Sequence, residues 1–293
     1  MIIVKLMGGM GNQMFQYAFG RYLSIKHGTE VKLDLSFLKE RPKDEKRVLR
    51  NYDLDIFRVN PSFANKKEMQ RLSERTGNKW LDKVLDKTIG AKKSYIREPQ
   101  YNFCPELLSL PDNIYLEGYW QSKKYFEGIQ DQIKEDFGFK EPLSPFSHEL
   151  FNCIATSNSV CVNVRRSDFV TNPTHNICGI DYYNRAEKIM LEKVPDAHFF
   201  VFSDEVEWCR ANLQFSTATT YVGHEYAGKK FRDYFELMSR CRNFIIPNSS
   251  FAWWATYLNN NPGKVVVAPG RWLNVPGFTS DDILLPSWIR LDV

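Results

Sequence analysis

Ile2 to Leu6 is an apolar run with too little alternation for a half-exposed strand, and it reads as a buried one. The glycine-bearing turn MGGMGN follows. Asn12 to Lys26 then repeats apolar residues at helical spacing, with Met14, Phe15, Ala18, Phe19, Tyr22 and Leu23 on one face and Gly28 as a stop. Glu30 to Asp34 gives a second strand, so the chain opens with β-loop-α-β, the unit of a parallel sheet.

From about residue 150 the pattern is regular. Strands are predicted over Ser159–Val164, Ala197–Phe202, Thr219–Val222, Asn243–Pro247 and Lys264–Ala268. Helices fall between them over Asp181–Lys193, Glu205–Leu213, Lys229–Arg240 and Phe251–Leu258. Strands alternating with helices predict an α/β fold with a doubly wound parallel sheet. The prolines and serines of EPLSPFS, 141 to 147, mark a linker and divide the chain into domains 1–145 and 146–293. Residues 36 to 150 are rich in charge, proline and aromatic residues and carry no long periodic segment. Two α/β halves, each opening with a strand and a polar turn, predict a ligand in the cleft between them, because such sheets collect ligands beyond the carboxyl ends of their strands.

A length of 293 residues suits two domains of ordinary size. The net charge of +4 is too mild for a nucleic-acid binder and compatible with a small anionic ligand. Six scattered cysteines form no C-x-x-C pair and no cluster with the five histidines, which argues against zinc and for reduced thiols in a cytosolic protein. Cys161, inside an apolar run, reads as a small core hydrophobe rather than a reactive group. The start MIIVKLMGG lacks the basic head of a signal peptide, and no apolar run reaches the roughly 20 residues of a membrane-spanning helix. The expectation is a cytoplasmic chain, soluble or peripheral at the inner membrane face. Between 66 and 98 there are ten Lys or Arg against five Asp or Glu. Within that stretch KWLDKVLDKTI sets Trp80, Leu81, Val84 and Leu85 on one helical face. It reads as a helix docked on its own domain with a solvated basic face, or alternatively as a membrane-surface contact.

The predicted strand ends collect polar residues at four stations. Gly8, Gly9, Gly11 and Asn12 follow the first strand, and Arg165, Arg166 and Asp168 follow Ser159–Val164. Ser203 and Asp204 follow the next strand, and Asn248, Ser249 and Ser250 follow Asn243–Pro247. Arginine is always charged and its planar fork holds two phosphate oxygens at once, so two in succession at the mouth of a parallel sheet suit a diphosphate. The alternative pairs one of them with Asp168 and leaves the other solvated. GGMGNQ lets backbone N–H groups approach an anion at a helix N-terminus, yet it is neither a dinucleotide nor a P-loop fingerprint. Ser249, Ser250 and Phe251 offer hydroxyls and amides to the same anion, or simply cap a helix. Asp204 can accept from a guanine edge or a ribose, or cap the helix after it. YDLDIF, with Asp53 and Asp55, resembles a metal-holding D-x-D, but Tyr52, Leu54 and Ile56 would alternate with the acids along a strand and leave both carboxylates on one solvated face. The arginine pair already supplies the charge neutralisation a metal would provide.

Four blocks carry a resemblance: GGMGNQMFQYAFGRYLS at 8–24, VNVRRSDFV at 162–170 running on through HNICGIDYY at 175–183, FSDEVEWCRANL at 202–213, and DYFELMSRCRNFIIPNSSFAWWATYL at 233–258. Together they resemble the α-1,2-fucosyltransferases, inverting enzymes that use GDP-fucose and act on a galactose hydroxyl. The family's signature, His-x-Arg-Arg-x-Asp, stands here as Asn163, Val164, Arg165, Arg166, Ser167, Asp168. Asn163 departs from it: an amide donates and accepts hydrogen bonds but does not titrate.

The resemblance implies a GT-B-like fold of two facing Rossmann-like domains, with GDP-fucose held mainly by the second and the acceptor approaching from the first. It implies no required metal or cofactor. Arg165, Arg166 and Asp168 inherit the donor-site role, Asn163 remains a nucleotide contact, and Ser203 belongs to the donor station. Asp204 would contact guanosine, with Asn248, Ser249, Ser250 and Phe251 near the phosphates. Gly9, Gly11, Asn12 and Gln13 would face the diphosphate and fucose. The partners implied are GDP-fucose and a galactose-terminated oligosaccharide or lipid-linked glycan. Transfer would be a single displacement in which Arg165 or Arg166 binds the leaving diphosphate more tightly in the transition state. The base is left between Asp168 and His175, whose unperturbed pKa lies near 6.5. Asn12 would orient fucose or acceptor. Another GDP-sugar transferase, or a glycan or nucleotide binder derived from one, is the rival reading.

Overall fold

The computed structural model describes residues 1–39, 50–73 and 94–293. The basic helix expected within KWLDKVLDKTI lies outside the described residues. The chain forms two compact units, Met1–Phe139 and Lys140–Val293.

The first unit holds β1 (Ile2–Lys5), β2 (Val31–Asp34), β3 (Ser62–Phe63), β4 (Tyr95–Arg97) and β5 (Ile114–Glu117), in the order β3-β2-β1-β5-β4. Every pairing is parallel. Helix α1 (Met10–His27) ends as the sequence predicts, at Gly28 in the left-handed conformation (φ +61°). There the N–H of Gly28 donates to Ile25 O and that of Thr29 to Ser24 O, which satisfies carbonyls the helix leaves open. α1 lies so close over the sheet that a Cβ at Gly20 would stand 2.3 Å from Val4 Cγ2 and 3.1 Å from Val31 Cγ2.

The second unit holds β6 (Ser159–Val164), β7 (His198–Ser203), β8 (Thr219–Val222), β9 (Asn243–Ile245), β10 (Val266–Pro269) and β11 (Ile289–Leu291), in the order β11-β10-β9-β6-β7-β8. All of these pairings are parallel. β6 is central and buried at all of its positions, which is why its sequence reads as a continuous run. Val160, Val162 and Val164 pack with Tyr182, Tyr183, Ala186 and Met190 of the helix Ile180–Lys193 in one core. Cys161 is fully buried, and burial pushes its thiol well above the ordinary value, as befits a core hydrophobe.

Two expectations about local structure are corrected. YDLDIF is not a strand: Leu54–Ile56 form a 3₁₀ turn, closed by Phe57 N–H donating to Leu54 O at 3.2 Å, and Leu54, Ile56 and Phe57 are buried together. The helix expected over Lys229–Arg240 starts only at Arg232, because Lys230 (φ +54°) and Phe231 (φ +58°) take the left-handed conformation. That kink lets the N–H of Asp233 return to Ala227 O at 3.1 Å, and the Asp233 carboxylate takes Ser144, Ser147 and Arg232 as partners in a buried knot.

In each sheet the chain runs outward from its first strand and then returns to that strand's other side. The order therefore reverses between β1 and β5 in one sheet and between β6 and β9 in the other. A crevice opens at such a point beyond the carboxyl ends of the strands. Gly20→Ala is expected to overpack the α1–β1 contact and lower stability by about 1–3 kcal/mol, read by urea unfolding; an unchanged midpoint would refute the close packing of α1 on Val4.

Candidate active site

At the reversal between β6 and β9 the strand register builds the site. Val164 pairs with Ser203, so the next residues of the two chains, Arg165 and Asp204, emerge side by side. Arg165 Nη1 lies 2.8 Å from Asp204 Oδ2 in a close ion pair not aligned as a hydrogen bond, while Arg165 Nη2 donates to Asp168 Oδ1. Asp204 Oδ1 also accepts the backbone N–H of Arg166 at 3.0 Å. Arg166 turns the other way, with Nε donating to Glu205 at 3.0 Å and its guanidinium carbon 3.5 Å from the centre of the Trp208 ring. Neither arginine is solvated on its own; both side chains are 24% exposed.

Asp204, expected to contact guanosine or to cap the next helix, holds the arginine pair and does not cap that helix. The helix Val206–Asn212 starts behind Glu205 without a side-chain cap. Ser203 is buried, its Oγ accepting the N–H of Glu205 at 2.9 Å and its N–H donating to Tyr234 Oη at 2.8 Å. Asn163 is also buried, and its Nδ2 donates to Phe202 O at 3.1 Å, tying β6 to β7. From β9, the buried Asn248 donates through Nδ2 to His175 O at 3.1 Å and Trp272 O at 3.0 Å, which draws the His175 segment to the sheet end. His175 stacks on Phe169 with ring centres 4.9 Å apart. Burial holds its pKa below the ordinary value, against the pull of the Asp168 charge. Ser249 occupies the position before the helix Ser250–Leu258 but makes no capping bond with its side chain, so the simple N-cap reading fails there. Ser250 and Phe251 form the half-buried first turn.

At the reversal between β1 and β5, the glycine turn precedes α1, which has no acid in its first turn and no side-chain cap at Gly9. Gly8 has φ +75°, and a Cβ there would stand 2.5 Å from Asn12 Nδ2, so only glycine leaves room for that carboxamide. Gly11 is buried and Asn12 half-buried. Gln13, expected among the donor contacts, is fully buried: its Nε2 donates to Gly8 O and Asn51 O, and its Oε1 accepts from Asp53 N–H at 3.0 Å. It braces the turn. Asp53 and Asp55 flank Leu54 in the 3₁₀ turn rather than lining a strand face. Among the described residues no group of three or more His, Cys, Asp or Glu is placed to hold a metal ion.

The family model for glycosyl transferase family 11 matches residues 61–292. The chain belongs to that family. The α-1,2-colitosyltransferase of Escherichia coli is 30% identical to this family 11 transferase over 99% of both chains. The Escherichia coli O-antigen biosynthesis glycosyltransferase WbnK is 29% identical over 98% of this chain and 99% of its own. A solved mutant of Arabidopsis thaliana FUT1 in complex with GDP shares the fold, with a TM-score of 0.55 at 12% identity, covering 92% of this chain and 70% of that one. The resemblance to the α-1,2-fucosyltransferases and the GT-B-like fold class therefore hold for the transferase. Among its described residues no helix is long and apolar enough to cross a membrane.

Sequence reasoning missed the partners that set the arginines, Glu205 and Trp208, and a whole station after β5. There Glu98, just past β4, accepts the backbone N–H groups of Tyr119 at 2.6 Å and Trp120 at 2.9 Å. The run LEGYWQS at 116–122, an apolar strand end followed by glycine and polar residues, was the available signal. Burial pushes the Glu98 carboxyl up to about 7, against the two N–H donors that pull it down. The folded protein thus holds this proton more tightly than the unfolded chain, and the ionised side chain destabilises the fold increasingly as pH rises from 4.5 to about 7. Glu98→Gln is expected to remove that component, roughly 3 kcal/mol across the window. Urea unfolding at pH 5 and 7.5 tests it, and identical pH dependence of the two proteins would contradict the assignment.

Proposed function

We propose that this glycosyltransferase moves L-fucose from GDP-β-L-fucose to the 2-hydroxyl of a terminal galactose in a glycan, with inversion and without a metal. One observation carries the reading: two arginines, oriented by Asp204, Asp168 and Glu205, stand at the reversal between β6 and β9, where a parallel sheet presents its ligand. The second unit takes the donor and the first takes the acceptor.

The galactose hydroxyl attacks the anomeric carbon opposite the departing GDP. Negative charge then develops on the diphosphate, and guanidinium groups already held in place stabilise it without reorganising. Arg165 has two carboxylates on its Nη atoms, which fix its plane. Arg166, stacked on Trp208, uses only Nε on Glu205 and keeps its two Nη groups for phosphate. Of the two candidate bases, Asp168 has its Oδ1 occupied by Arg165 Nη2. Burial lowers the His175 pKa, which favours the unprotonated ring that can take up the acceptor's proton.

A second reading concerns the sugar. Colitose is fucose without its 3-hydroxyl, and the colitosyltransferase likeness runs over 99% of the chain. The deciding experiment offers GDP-fucose, GDP-colitose and GDP-mannose with a panel of β-galactosides, measures GDP release and analyses the product linkage. Fastest turnover with GDP-fucose and an α-1,2 product supports the proposal. A preference for GDP-colitose replaces the donor, and saturable binding without turnover would make the chain a binder only.

Arg165→Ala is expected to reduce kcat by about 10²–10³-fold while the protein still folds; near-normal transfer by a folded variant would refute its role. Activity should persist in excess chelator. Complete loss restored by Mn²⁺ would return Asp53 and Asp55 to consideration.

A further inference from the structure

A histidine that serves as a base is commonly oriented by a third group bonded to its other ring nitrogen. His175 lacks that support: its Nδ1 is buried with no hydrogen-bond partner among the described residues. The ring stacks on Phe169, whose own ring centre lies 5.5 Å from the Arg165 guanidinium carbon. Stacking sets the plane of the imidazole, so its position falls to the main chain that carries it. That main chain is tied at two neighbouring carbonyls. Asn248 Nδ2 donates to His175 O at 3.1 Å and to Trp272 O at 3.0 Å, and the backbone N–H of Asn274 donates to Thr174 O at 2.9 Å.

The strand order explains how one side chain serves two loops. β9 lies between β6 and β10, so Asn248, just past β9, stands between the chain that continues from β6 and the chain that continues from β10. Its carboxamide has one satisfactory orientation. Both hydrogens of Nδ2 meet carbonyls, while Oδ1 has the Cys178 thiol 3.9 Å away, kept as S–H by burial that pushes it up to about 12. Asn248 is only 4% exposed, and its two N–H groups are spent on the protein, so it has no donor left for a phosphate.

We propose that Asn248 is a positioning residue, which pins the segment 171–178 to the end of β9 and so sets where the His175 ring stands, rather than a contact to the diphosphate. The role rests on His175 being the base of the proposed transfer. Without the carboxamide, His175 O and Trp272 O lose their donor, and the remedy is for the segment to move out to water. The ring then loses part of its burial. The charges that bear on it are Asp168, which acts through space, and Arg165, over Phe169; the Cys178 thiol is neutral.

The test follows the histidine ring signals by NMR across pH in Asn248→Ala, and measures kcat and both KM values with whichever GDP-sugar gives turnover. His175 should titrate below 6.5 in the parent protein and closer to 6.5 in the variant, with the other histidines unmoved as the mark of an intact fold. kcat should fall about ten- to a hundred-fold while donor KM stays within about threefold. The acidic limb of the kcat profile should move up with the pKa of the ring. In a His175→Ala background, Asn248→Ala should cost little more, because it acts through that ring. Asn248→Ser, which keeps a hydroxyl for one of the two carbonyls, serves if Asn248→Ala does not fold. An unmoved His175 titration in a folded variant, a raised donor KM with kcat intact, or losses that multiply in the double variant would overturn the proposal. Near-normal transfer by His175→Ala would instead remove the base assignment, and the titration alone then decides whether Asn248 holds the segment.

Discussion

Asp204 is the group on which the arrangement at the end of β6 depends. Its two oxygens reach two successive residues of the neighbouring strand's continuation, the side chain of Arg165 and the backbone N–H of Arg166. Sending the backbone N–H of Arg166 inward to Asp204 leaves its side chain free to turn away towards Glu205 and Trp208. Three carboxylates, Asp168, Asp204 and Glu205, surround these two guanidiniums, so the cluster carries no surplus of positive charge to attract anions from a distance. Its contribution is orientation. An arginine fork held in plane loses little freedom when an anion meets its remaining N–H groups.

The end of β1 gathers different groups. The first turn of α1 holds no acid and no side-chain cap, and the Arg50 guanidinium lies beside Gly9. Gln121 donates to the Asn12 carboxamide, for which the bare Gly8 leaves room. Gln13, one residue on, illustrates the division of labour: its amide is spent on Gly8, Asn51 and Asp53, and it holds the turn in shape from beneath.

Much of this was legible along the chain. β6 was found to the residue because a central parallel strand is buried on both faces and must be apolar throughout, and the polar residues just beyond it mark the edge where ligands collect. α1 was found because its apolar face repeats at helical spacing and a glycine ends it. β3, β4 and β5 were not, since they lie in the stretch dense in charge and proline, where no regular alternation with periodic helices marks short strands. The kink before Arg232 escaped because the residues that require it, Ser144 and Ser147, lie far upstream of Asp233.

By itself the sequence determined the α/β class, the placing of the strand ends and the residue types that gather there, because hydrophobic period and strand burial are properties of neighbours along the chain. Which of those residues face one another was decided only by the tertiary structure. That Asp204 clamps arginines rather than capping a helix follows from the pairing of Val164 with Ser203, and that Gln121 meets Asn12 follows from β5 lying beside β1. Register and strand order are set by the packing of whole sheets, and no local window of sequence contains them.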